Sequence, residues 1–159
     1  MNLQEITDRL EIRDQIDRYS SGLTRRAWDE MCAVFHDDAE WRATEPFNLY
    51  FKTRKGIQDG LSGIVGQSDY LVQMVHSVVI DLAGDRATAC VVLNEMSKTA
   101  STGRGLFLLG TYNDELVRHN GKWLFIKRTF LPVYVDLSPL AGDAVGTGDL
   151  KTYLAQKKA

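Results

Sequence analysis

Cysteine, proline and long apolar runs are all scarce in this chain, and each scarcity argues against a class of protein. Only 2 cysteines occur in 159 residues. Cys32 and Cys90 lie far apart, without CxxC spacing or a histidine at ligand spacing, which speaks against a disulfide framework and against a metal site. Two reduced, buried thiols are the expectation. Only 3 prolines and no low-complexity tract are present, so collagen-like and wholly disordered chains are out. No 18-residue apolar stretch occurs, and Met1 to Arg9 lacks the basic start and apolar run of a secretory signal. A cytoplasmic protein without a membrane partner is therefore expected. No block of like charge stands out either, with Lys plus Arg at 19, Asp plus Glu at 21 and a formal charge of -2. Nucleic acid and anionic membrane are not expected partners.

What is present is ordinary globular material, 44% hydrophobic and 25% charged, in a length that suits one core. Asn2-Leu3-Gln4-Glu5 is a helix-start pattern, with an asparagine that can accept a backbone N–H and a glutamate that can reach back. Apolar residues follow at Leu3, Ile6 and Leu10. A second set, Ile12, Ile16, Tyr19 and Leu23, has the spacing of one helical face. A second amphipathic stretch spans residues 27–35 and stops at the turn-forming cluster His36-Asp37-Asp38. Residues 39–44 and 47–52 suit short strands divided by Pro46, and a third helix is expected over about residues 55–65.

From Tyr70 onward the pattern is one of strands. Residues 71–82, 86–98, 105–118 and 122–135 are rich in Val, Leu, Phe and Tyr, with Gly84-Asp85, Thr102-Gly103-Arg104-Gly105 and Asn120-Gly121 between them. Asn120-Gly121 is the strongest turn, because both central residues of a type I′ turn need positive φ. Four long strands joined by short turns make an antiparallel meander. The apolar faces of three helices then have a sheet face as their only cover. The expected fold is α+β, a curved antiparallel sheet wrapped around three N-terminal helices as a cone-shaped barrel over residues 1–136, with a pocket inside the curl. Residues 137–159 read as a tail, with a short helix expected at Leu150-Lys151-Thr152-Tyr153-Leu154.

Among residues that could carry chemistry, His76 stands in a run that is apolar on both faces, Val72 to Ile80. If it shares the face of Met74 and Val78, its imidazole is desolvated and neutral near pH 7, fit to act as a general base. A core histidine bonded to backbone or hydroxyl groups is the other reading. Tyr19 lies on the core-facing stripe of the first helix, so its ring is buried and its hydroxyl needs a partner, in a pocket or on backbone. Trp28 and Trp41 suit either core or pocket wall. Asn94 and Glu95 interrupt an apolar strand, and alternation puts one on each face. His36 and His119 read as exposed turn residues.

The chain resembles the SnoaL-like group within the nuclear transport factor 2-like superfamily. The resemblance rests on Ile12-Arg13-Asp14-Gln15-Ile16-Asp17-Arg18-Tyr19, on Arg25 to Met31 and on Phe35-His36-Asp37-Asp38-Ala39-Glu40-Trp41. It continues at His76, at Gly84 to Ala89 and at Gly110 to Arg118, and it runs through Asn120 to Trp123. It implies an α+β cone, a deep apolar pocket, and homo-oligomerisation through the sheet as a homodimer or homotrimer. The dehydratase members carry a helix-one tyrosine, which maps onto Tyr19, and a strand histidine, which maps onto His76. Thr24 stands where those enzymes place an aspartate, Pro132 where one of them has a late arginine, and Gly110 where another has a second histidine.

The function expected from the resemblance is a lyase or isomerase, without cofactor or metal, taking a proton beside a carbonyl of an apolar cyclic small molecule. His76 is expected to abstract the proton and Tyr19 to hold the enolate oxygen. Thr24 would orient the imidazole, while Trp41, Asn94, Glu95 and Tyr112 shape the pocket. A non-catalytic small-molecule binding module and the β subunit of a ring-hydroxylating dioxygenase are the alternatives.

Overall fold

The computed structural model describes residues 2–99, 101–142 and 144–145. Helix α1 runs Leu3–Arg25 and opens on the expected capping box: Asn2 Oδ1 accepts from Glu5 N, and the Glu5 carboxylate accepts from Asn2 N. It ends where Arg26 enters the left-handed region. Of its two apolar sets only Ile12, Ile16, Tyr19 and Leu23 are buried, whereas Leu3, Ile6 and Leu10 face solvent. Helix α2 is short, Trp28–Cys32, and α3 spans Arg54–Val65, its Thr53 hydroxyl capping Gly56 N.

The strands are β1 Phe35–Ala43, β2 Leu49–Lys52, β3 Ser68–Ala83, β4 Arg86–Thr99, β5 Gly105–His119 and β6 Lys122–Asp136. They form one six-stranded sheet in the order β2-β1-β6-β5-β4-β3. The β3–β6 meander is antiparallel as expected, and Asn120 and Gly121 both adopt positive φ in its last turn. The sheet as a whole is mixed, because β1 pairs parallel with β6. Chain hydrophobicity marks strands without marking their partners, so this pairing was invisible to periodicity. Register shifts in β3–β4 and β5–β6 bend the sheet around the helices. With β2 and β3 as edges it stays an open cone.

Two further expectations are corrected. His36, Asp37 and Asp38 lie within β1 and do not form a turn; the His36 ring stands 5.0 Å from that of His119, the last residue of β5. Of the two thiols only Cys32 is buried, since Cys90 falls on the outer, exposed side of β4 between inward Ala89 and Val91. The helix expected at residues 150–154 lies outside the described residues.

Residues 137–142 run as coil along the β4–β5 end, where Gly142 O accepts from Lys98 Nζ and Ser138 and Leu140 press on Gly105. At the opposite end of the fold, buried Asp8 ties α1 to the sheet. Its Oδ1 accepts from Arg118 Nη2 at 2.6 Å, Trp123 Nε1 at 3.2 Å and Gln4 Nε2 at 2.9 Å.

Candidate active site

Between α1, α3 and the concave face of the sheet lies a cavity of about 110 Å³, walled by apolar side chains such as Leu23, Leu61, Val65, Leu71, Leu108 and Phe130. Polar atoms reach it from few places: Tyr19 on α1, Trp41 on β1, Glu95 on β4 and Tyr112 on β5. Each arrives there through the period of its own element. Tyr19 follows Ile12 and Ile16 on the buried stripe of α1, Trp41 alternates inward with Ala39 and Ala43, and Glu95 continues the inward series Ala89, Val91, Leu93. Tyr112 faces Val91 and Phe130 across its two ladders.

The hydroxyls and the indole form one cluster. Trp41 Nε1 donates to Tyr19 Oη at 3.0 Å, and Tyr19 Oη lies 3.2 Å from Tyr112 Oη. Burial holds both phenols above their ordinary pKa, so they are neutral donors at pH 7. Among the described residues Glu95 is the one carboxylate in the wall. Its Oε2 accepts from Gln73 Nε2 at 2.9 Å, directly across the β3–β4 ladder. Gln73 is itself fixed: Ser20 Oγ donates to its Oε1 at 2.8 Å and its backbone N donates to Thr24 Oγ1 at 3.1 Å. Desolvation raises the Glu95 pKa to about 7, offset only partly by the hydrogen bond from Gln73. A carboxylate in that state gives and takes protons readily near neutrality.

Thus Tyr19, Trp41, Glu95 and Tyr112 converge, and three other sequence-derived candidates do not. His76 is exposed and absent from the cavity wall. Alternation with inward Leu71, Gln73 and Val75 places it outside, and the register shift between Val75 and Val78 then returns Val78 to the core without it. Val75 and Val78 both pack on the core, and the imidazole emerges on the outer face with its Nε2 2.6 Å from Asn94 Oδ1. Asn94 is on that outer face too, as alternation with inward Glu95 demands. Thr24 does not line the cavity and meets β3 at Gln73, not at His76.

The β3 residue opposite the end of α1 is therefore a glutamine, which cannot exchange protons. Gln73 and Ser20 were missed from sequence. The available signal was that Gln73 is the only polar residue preceding His76 in the run from Leu71. Among the described residues no group of three or more His, Cys, Asp or Glu side chains is gathered to hold a metal ion.

Comparison with known proteins matches residues 4–129 to the family model described as a SnoaL-like domain. An uncharacterised protein of Mycobacterium tuberculosis H37Rv is 29% identical over 131 residues, covering 80% of this chain and 87% of that protein. Among solved structures, a Novosphingobium aromaticivorans protein provisionally named a scytalone dehydratase superposes with a TM-score of 0.77 at 20% identity, covering 94% of this chain and 100% of that one. A hexachlorocyclohexane dehydrochlorinase of Novosphingobium barchaimii does so with a TM-score of 0.80 at 19% identity, covering 93% and 100%. At these identities the structural matches speak for the fold. No helix among the described residues is long and apolar enough to cross a membrane.

Proposed function

We propose, from the premise that this chain belongs to the SnoaL-like domain family of the nuclear transport factor 2-like superfamily, that its pocket is the active site of a lyase or isomerase. The base is Glu95. A single observation carries this: an ionisable carboxylate poised near pH 7 stands in an otherwise apolar cavity beside two phenols. In the reaction, one Glu95 oxygen takes a proton from the carbon beside a carbonyl. The C–H electron pair becomes the C=C bond of an enolate, and the oxygen's new charge is held by a hydrogen bond from the tyrosine pair. Trp41 donates to Tyr19; when Tyr19 turns its own proton to Tyr112, the Tyr112 proton is left for the ligand. Glu95 then returns its proton either to a distant carbon of the conjugated system, which is isomerisation, or to a departing hydroxyl, which leaves as water. These steps need no cofactor.

The cavity also narrows the substrate. An engineered apolar cavity of about 150 Å³ holds benzene, so about 110 Å³ suits the reacting end of a single-ring ketone better than a fused tetracycle. The chemistry of the neighbours named above, elimination from cyclic molecules in the dehydrochlorinase, is compatible with that class. The test is deuterium uptake at the ring carbons beside the carbonyl of 2-cyclohexenone in D2O, followed by proton NMR. Catalysed uptake that E95Q abolishes is expected; uptake no faster than buffer, with the ketone bound, overturns the reading.

One observation favours a second reading. Thr24, which stands where the dehydratase members place an aspartate, meets the neutral Gln73 on β3 and not His76, onto which their histidine maps. A pocket that holds an apolar ring unchanged would need nothing more. Saturable binding of 2-cyclohexenone without exchange is the result that selects it.

We further propose a cytoplasmic homodimer or homotrimer formed through the outer sheet face, supported by exposed Val72, Met74, Val79, Val92, Leu109 and Val133 on β3 to β6. Light scattering on the purified chain tests it, and a monomer at micromolar concentration overturns it.

A further inference from the structure

Behind the two phenols lies a charge that the reaction above does not use. Arg128 on β6 is 0% exposed, and its guanidinium carbon stands 4.2 Å from the Tyr19 ring centroid, 3.9 Å from that of Tyr112 and 4.6 Å from that of Phe125. Asp114 faces it across the β5–β6 ladder, with Oδ1 3.5 Å from Arg128 Nε. Among the described residues neither side chain finds a hydrogen-bond partner: both carboxylate oxygens and all three guanidinium nitrogens are buried with only the ion pair and the ring faces beside them. Such a pair is poor material for stability, because apolar residues of the same volume commonly fill such a site as well or better. Three aromatic faces offer the cation its remaining compensation. Two of those rings carry the hydroxyls that line the cavity.

We propose that Arg128, with Asp114 as counter-ion, is a positioning residue that acts through the rings of Tyr19 and Tyr112 and makes their hydroxyl pair select planar anionic oxygen, an enolate or a phenolate, over the neutral molecule. The proposal rests on the site reading above and adds the ligand's charge state to it. A cation about 4 Å behind each ring lowers the energy of negative charge on the phenols and on any oxygen they hydrogen-bond. It also lowers the phenol pKa values against the opposing effect of burial. Other titratable groups act on the same oxygens. Glu95 from β4 disfavours negative charge there, and Asp114 from β5 screens the cation; burial raises the Asp114 pKa to about 7, so its screening is complete only above that pH.

The test uses 4-nitrophenol, whose neutral and ionised forms absorb at different wavelengths, bound to the protein in an E95Q background so that no carboxylate titrates in the cavity wall. The bound probe is expected to ionise below its free pKa. R128M should raise the bound value by at least one unit, a tenfold loss of phenolate over phenol, while nitrobenzene, the uncharged shape control, binds as before. D114N should lower the bound value or, where Asp114 is already protonated, leave it unmoved; a raised value counts against the inference. Equal phenolate fractions in all three proteins overturn the inference and leave the site reading standing. If R128M does not fold, R128Q takes its place, and an unmoved titration there overturns the inference. If neither probe nor nitrobenzene binds the E95Q parent or the unmodified chain, the pocket reading itself falls and this inference with it.

Discussion

Asn94 and Glu95 are neighbours in the chain and belong to different environments. On the inner side of β4, Glu95 meets Gln73, an apolar cavity and two phenols. On the outer side, Asn94 meets the imidazole of His76 at 2.6 Å among exposed Met74, Val92 and Leu109. Imidazole is the usual base of neutral-pH chemistry, yet this one stands where water reaches it and away from the cavity and its phenols. The carboxylate, an indifferent base in water, is lifted to about 7 by burial. The side of the pleat on which a group falls outweighs the chemistry printed in its side chain.

Four experiments break or sharpen that contrast. The largest effect is expected from E95Q, which should lower enzymatic α-hydrogen exchange about 10²- to 10⁴-fold, the usual span for loss of a general base; a retained rate would place the chemistry elsewhere. Next, Y112F should reduce kcat about 10²-fold, as for removal of one oxyanion donor, with little change in KM. Equal losses in kcat and gains in KM would instead describe a wall residue.

The third concerns pH and has two arms of opposite sign. Exchange should climb tenfold per unit below pH 7 and level off above it, because only ionised Glu95 accepts a proton. Stability should move the other way. The folded state holds the Glu95 proton up to about 7 and the unfolded chain releases it near 4.5, so the folded form binds more protons in that window and loses stability as pH rises through it. Asp114, raised from 3.8 to about 7, contributes with the same sign. Urea midpoints across pH 4 to 8 should thus fall and then flatten, less steeply in E95Q. The smallest effect is expected from H76A, whose exchange rate should match that of the parent chain. A deep loss there would restore the imidazole to the reaction and undo the comparison.

Much of the architecture was open to a reading of the residues alone. The capping box at Asn2, the buried stripe through Tyr19, the Asn120-Gly121 turn and the long strands all follow local rules of propensity and period. What local rules could not carry is whatever depends on register. Period two is reset at each bulge, and the reset after Val75 separated His76 from Val78, whose face it would share in an unbroken strand, bringing Val78 inward while His76 stayed outside with Met74. The parallel β1–β6 pair joins segments distant in sequence, with no turn to announce it. Asp114 alternates inward with Tyr112 and Leu116, but Arg128 joins it on the concave side only because β6 carries an extra residue between Phe125 and Lys127. The half of the site on regular stretches, Tyr19, Trp41, Glu95 and Tyr112, was legible. The half set by bulges and cross-ladder partners was not.

The grip on Asp8 has a consequence for how the protein is made. Its partners Arg118 and Trp123 are 110 and 115 positions away, so during synthesis α1 leaves the ribosome well before β5 and β6 can grip this end of it. Local turns form early and distant closures late. The cavity is thus closed late in the life of the newborn chain, and α1, which forms part of its wall, stays open to chaperones until then.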